Sequence, residues 1–169
     1  MNRARGRFFL PGWGLLLGLL LPAALMLGAK TASAQQPART QIPVSLPDTS
    51  GIASDTSTIP VEVGNLSGEG IFSFEFSIRY NADTLSVVGI ETAGTIASGL
   101  NAVVNTDEAG EVTVSAAAVE ELSGKGILVK VIMRQKGAGT SPLVWEKFQF
   151  NEGSPRANLS EGRVTVEPL

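Results

Sequence analysis

The sequence predicts an all-β fold: a nine-stranded antiparallel sandwich of two sheets, preceded by a signal peptide. Three observations predict it. Large apolar residues alternate with polar ones at Ile59, Val61 and Val63, and again at Phe72, Phe74, Phe76 and Ile78, where Ser73, Glu75, Ser77 and Arg79 fill the gaps. A side-chain period of two with one dry and one wet side marks a half-buried strand. Turn-forming clusters then recur along the chain, and no window holds a helical period of useful length.

Taken in order, the chain opens on a segment outside the fold. Arg3, Arg5 and Arg7 form a basic start, Leu10 to Gly28 is apolar, and Ala32-Ser33-Ala34 offers the small residues of a peptidase site. This reads as a signal peptide over 1–34, with an uncleaved membrane anchor as the competing reading. Residues 35–40 read as a flexible leader, and 41–167 as one domain. Removal of 1–34 leaves 135 of the 169 residues, with 9 basic against 16 acidic side chains and a net charge of −7. That length suffices for one core. Export without any Cys suits a bacterial envelope or extracellular protein. The acidic balance disfavours nucleic acid and anionic lipid as partners.

Strands are expected at 41–46, 58–64, 71–80, 84–91, 101–105, 111–118, 126–135, 142–150 and 162–167. Turns at Asn65–Gly68, Asn81–Asp83, Asp107–Gly110, Ser123–Gly126 and Gly137–Gly139 separate them. Residues 115–121 have helical propensity, but Val112 and Val114 before them favour a strand. In 126–135, Ile127, Val129, Val131 and Met133 share one face while Leu128 and Ile132 lie on the other, as in a central strand. In 142–150 the apolar parity changes between Trp145 and Phe148, which means either a β-bulge at Glu146-Lys147 or a broken strand.

The chemistry is restricted. With neither His nor Cys in the chain, nucleophile–base pairs, zinc sites and redox thiols have no usual ligands. A carboxylate pair remains conceivable among Glu75, Glu120, Glu121 and Glu146, but scattered surface acids ordinarily serve solvation. Residues 105–112 imitate the start of a calcium loop, yet Ala109 and Ala116 occupy positions that need ligands, so a turn is expected. No metal or other cofactor is expected. Asn65-Leu66-Ser67 and Asn158-Leu159-Ser160 match the short glycosylation triplet and nothing supports them further. Carbohydrate stacking would have to use Trp145 and Tyr80, the only amphipathic rings after the leader, because Phe72, Phe74 and Phe76 have inward parity.

Several segments, in order, resemble one family. They are Ser54 to Val61, Gly70-Ile71 with Phe74 to Asn81, Leu85 to Glu91, Gly126 to Val131, and Glu161 to Val166. Together they are similar to the cohesin domain, the receptor module for dockerin-bearing enzymes. The resemblance implies a jelly-roll sandwich of nine strands and a non-catalytic role. It also implies a sheet face that grips a helical dockerin domain, with calcium carried by the partner. Carried over by position, that face comprises Ser73, Glu75 and Ser77. Ser73 departs from the Asn that the family often has there. The strand at 111–118 would add Thr113, Ser115 and Ala117, or the opposite parity, since both of its sides are small. Small residues packed under a loop are the plainer reading of the same positions. The expected role is thus a secreted docking module linked to polysaccharide catabolism. The alternatives are a carbohydrate-binding module of the same architecture, or an envelope structural protein that no longer recognises dockerin.

Overall fold

The computed structural model describes residues 41–169; the expected signal segment 1–34 and leader 35–40 lie outside the described residues. Eleven strands follow one another: β1 (Ile42–Ser45), β2 (Asp48–Ile52), β3 (Thr56–Val63), β4 (Ser73–Arg79), β5 (Leu85–Glu91), β6 (Val103–Asn105), β7 (Glu111–Ala117), β8 (Gly126–Gln135), β9 (Gly139–Phe150), β10 (Ala157–Ser160) and β11 (Gly162–Glu167). They form a five-stranded sheet, β10-β1-β3-β8-β5, and a six-stranded sheet, β2-β11-β9-β4-β7-β6. The chain changes sheet at every connection except the β6–β7 hairpin.

All nine expected strands are present, and β2 and β10 add to them, so the expected count is corrected to eleven. The all-antiparallel expectation is corrected too, because β1 pairs with β10 and β2 with β11 in parallel. Both extra strands lie at sheet edges. β10 buries little, and β2 alternates only between exposed and half-buried positions. A strand with no deeply buried side leaves no apolar alternation to read.

The core sits between the sheets. Ile59, Val61, Val129, Val131 and Met133 meet Phe74, Phe76, Ile78, Val112, Val114 and Phe150, all inaccessible or nearly so. Phe72 is the exception to the expected inward row: it precedes β4 and stays 45% exposed. β8 is internal, as its two apolar sides imply. Val61 faces Val129 and Glu62 faces Ile127, so Leu128 is the extra residue of a bulge and turns into the core.

A second bulge shapes β9. Ser77 faces Lys147 and Ile78 faces Trp145, which leaves Glu146 without a partner in the ladder. The change of parity is therefore a bulge within a continuous strand. It aims Trp145, Phe148 and Phe150 at the same side despite their mixed spacing. The Trp145 ring stands edge-on to Phe76 at 5.7 Å and to Phe148 at 5.4 Å, geometries that aromatic quadrupoles favour. The Trp145 indole N–H donates to the Ser160 carbonyl at 3.0 Å.

Candidate functional site

The outer side of β9-β4-β7-β6 is built by the same alternation that fills the core. Because Phe74, Phe76 and Ile78 point inward, Ser73, Glu75 and Ser77 must point outward. Burial of Val112, Val114 and Ala116 resolves the parity of β7 and leaves Thr113, Ser115 and Ala117 outside. The ladder then sets the six expected residues in three facing pairs: Ser73 with Ala117, Glu75 with Ser115, and Ser77 with Thr113.

The two flanking strands widen these rows. β6 places Val103 beside Ser115 and Asn105 beside Thr113, while β9 places Gln149 beside Glu75 and Lys147 beside Ser77. None of these four follows from the resemblance. Lys147 and Gln149 become legible once the bulge at Glu146 is accepted, since Phe148 and Phe150 then face inward.

The groups on this face are unequally available. Ser77, expected to be presented outward, is only 7% exposed, and its hydroxyl is hydrogen-bonded to that of Thr113 at 2.6 Å. Its hydroxyl is thus turned across the ladder towards Thr113, with little of the residue open to solvent. Glu75 is half-buried and already engaged, with Lys147 Nζ at 2.8 Å from Oε1 and Gln149 Nε2 at 3.3 Å from Oε2. The Glu75 charge is therefore balanced locally by Lys147. A pair this exposed contributes about 0–1 kcal/mol to stability.

At the Ser73–Ala117 end the small side chains leave a shallow hollow of about 370 Å³, bordered by Asn101, Val103, Gln149 and Asn151. Asn151 fixes its rim. Its Oδ1 accepts from the Phe72 and Ser73 amides at 2.8 and 3.2 Å, and its Nδ2 donates to the Gly70 and Ser154 carbonyls, both at 2.9 Å. Its backbone is left-handed, with φ of 45°, a conformation Asn tolerates better than most residues. The Asn-Glu-Gly turn at 151–153 is the sequence signal for it.

Elsewhere two of the candidate carboxylates are individually occupied. Glu146 pairs with Arg79 at 3.0 Å, and Glu121 accepts from the Gly70 amide at 2.8 Å. The 105–112 segment is a hairpin turn in which Asn105 Oδ1 accepts from the Asp107 amide at 2.8 Å. Gly110 there has φ of 85°, and a Cβ would lie 2.9 Å from the Tyr80 carbonyl oxygen. Among the described residues no group of acidic side chains is placed to hold a metal ion. The outer side of β4 and β7 thus carries small and polar groups, and Trp145 lies beneath it, packed on Phe76.

Comparison with known proteins agrees with this architecture. Among curated proteins no sequence match is found. The OlpC cohesin of Clostridium thermocellum, solved in a complex with a dockerin, superposes with a TM-score of 0.66 at 23% identity, covering 76% of this chain and 95% of that one. The OlpA cohesin of the same organism, also solved with a dockerin, gives 0.65 at 22% identity, covering 76% and 100%. A non-cellulosomal cohesin from the archaeon Archaeoglobus fulgidus gives 0.64 at 16% identity, covering 76% and 92%. The cohesin domain profile matches residues 42–165. With that match spanning most of the sequence, the chain belongs to the cohesin domain family.

Proposed function

We propose that the chain is an exported, non-catalytic docking module whose β9-β4-β7-β6 face receives a helical dockerin domain, with calcium carried by that partner. One observation carries the reading: three in-register pairs of small or polar residues form a flat outward surface across β4 and β7. Small side chains let a helix approach the sheet closely, and about 800 Å² per partner is a standard interface. A rigid sandwich presents these groups with little ordering cost on association. The similar cohesins solved with dockerins bound support the choice of partner. Commitment of Trp145 to the packing behind the face weighs against a sugar-stacking platform.

The proposal includes a place and a setting. Residues 1–34 act as the export signal, so N-terminal sequencing of the exported protein is expected to begin at Gln35; a sequence beginning inside the apolar run would refute the cleavage site. A link to polysaccharide breakdown would come through enzymes that carry the dockerin. The cohesin of Archaeoglobus fulgidus, being non-cellulosomal, is a reminder that the fold also serves elsewhere.

Calorimetric titration tests the docking. The exported protein should bind at least one purified, calcium-loaded dockerin encoded in the same genome, with release on chelation of calcium. Ser115→Arg, which puts a long cation in the middle of the face, should weaken that binding about a hundredfold. Unchanged affinity in Ser115→Arg would place the interface elsewhere.

A further inference from the structure

We propose that the outer side of the five-stranded sheet, β10-β1-β3-β8-β5, stacks on the same side of a second copy of this chain, about a two-fold axis that runs across the strands. The inference is independent of the docking reading, which concerns the other sheet.

This outer side follows from the core. Because Ile59 and Val61 of β3 and Val131 and Met133 of β8 are buried, the residues between them point outward. The ladder sets Arg134 beside Thr56, Ile132 beside Thr58 and Lys130 beside Pro60, and Glu62 follows at the end of β3. On the other flank of β8, Gly89 lies beside Ile132 and Glu91 beside Lys130.

Charge on this side is sparse and ordered. The five strands hold four charged residues, two of each sign: Glu62, Glu91, Lys130 and Arg134. They sum to zero, whereas the chain after residue 34 carries −7, so two copies meet least repulsion here. Lys130 and Glu91 are paired in the middle at 3.0 Å. Arg134 and Glu62 are exposed at opposite ends, about 20 Å apart at the rise of an extended strand. Among the described residues neither has an ion-pair partner. A two-fold axis across the strands turns one copy end for end, so Arg134 of each copy meets Glu62 of the other. Two-fold symmetry makes that contact twice.

The middle supplies apolar surface between these charged ends. Ile132 and Pro60 are half-buried, and Val88, the extra residue of the β5 bulge, is 58% exposed. A Cβ at Gly89 would meet nothing within 4 Å, which leaves room beside Ile132 for a side chain of the facing copy. Five strands at about 4.8 Å spacing and the eight residues of β3 at about 3.3 Å each outline about 600 Å² per copy. That lies at the small end of specific interfaces and suits a reversible dimer. Stacking of this kind leaves both β9-β4-β7-β6 faces open and turned away from each other, so one dimer presents two of them.

Sedimentation equilibrium of the exported protein tests the pairing. Between about 5 and 500 μM the monomer should give way to a dimer with a Kd of about 50 μM. Arg134→Glu and Glu62→Arg should each weaken it about tenfold, because each sets like charges together at both ends. The double variant, Arg134→Glu with Glu62→Arg, recreates both contacts in reverse and should dimerise within about threefold of wild type. Thr140→Ala, exposed on the other sheet, should dimerise as wild type. Circular dichroism and thermal melts confirm that each variant folds. A monomer at every concentration would overturn the proposal and leave this side to a different partner. A dimer that survives both single reversals, or a double variant that stays as weak as they are, would overturn it as well, since the copies would then meet elsewhere.

Discussion

Replacing Gly162 with alanine is expected to lower the free energy of unfolding by about 3 kcal/mol, the upper end of common overpacking costs. Gly162 opens β11 and faces Leu143 on β9. A Cβ there would be driven against the Pro47 carbonyl oxygen and would lie 2.8 Å from the carbonyl carbon and oxygen of Leu46. These are main-chain atoms and are themselves tied down: the Leu46 amide donates to the Ser160 carbonyl at 3.1 Å, and the Arg163 amide donates to Pro47 at 3.3 Å. Relief of the clash would have to break that crossing of backbones. At Gly51 the obstacle to a Cβ is the far end of the Gln135 side chain and not main chain, so Gly51→Ala should cost less. Urea denaturation of both variants, compared at equal m-value, measures the difference. An unmoved midpoint for Gly162→Ala would mean the chain does not pass this close to itself.

Asn151→Ala should cost about 2–3 kcal/mol, from two separable causes. Four side-chain hydrogen bonds to the 70–73 segment and to Ser154 disappear, each contributing about 0.5–1.5 kcal/mol at most and less where water can substitute. Alanine must also hold a φ near 45°, at about 1–2 kcal/mol for a residue with a Cβ. Asn151→Gly removes the first contribution and relieves the second, so it should be milder. Equal melting temperatures for the two variants would show that backbone strain is not a component. The loss should also loosen the rim of the hollow, visible as faster amide exchange at Phe72 and Ser73.

Most of the sandwich was legible because its central strands are covered on one side and wet on the other. Phe74, Phe76 and Ile78 against Glu75 and Ser77 declare strand, register and inward side in one stretch. β2 and β10 escaped because Asp48–Ile52 and Ala157–Ser160 have no such contrast. Their pairing is set by partners more than a hundred residues away, which local pattern cannot encode. Phe72 was misjudged for a related reason: parity holds only inside the ladder, and the ladder begins at Ser73.

The face was half legible. The sequence left the parity of β7 open, and Thr113, Ser115 and Ala117 lie outside because Val112, Val114 and Ala116 fill the core, a weak contrast in size. That Ser77 turns its hydroxyl to Thr113 rather than to solvent depends on cross-strand geometry, which residue type does not reveal. The neutralisation of Glu75 by Lys147 joins residues 72 positions apart. It hinges on a bulge at Glu146 that sequence left open against a strand break.

The parallel pairings of the first strands with the last have a mechanical consequence. Tension applied between the two ends of the domain would pull β2 and β11 along their own axes in opposite directions. In a parallel pair this slides one strand past the other, so the five partners from Asp48–Arg163 to Ile52–Glu167 share the load. Failure under such traction requires rupture of the whole ladder at once, not peeling from one end.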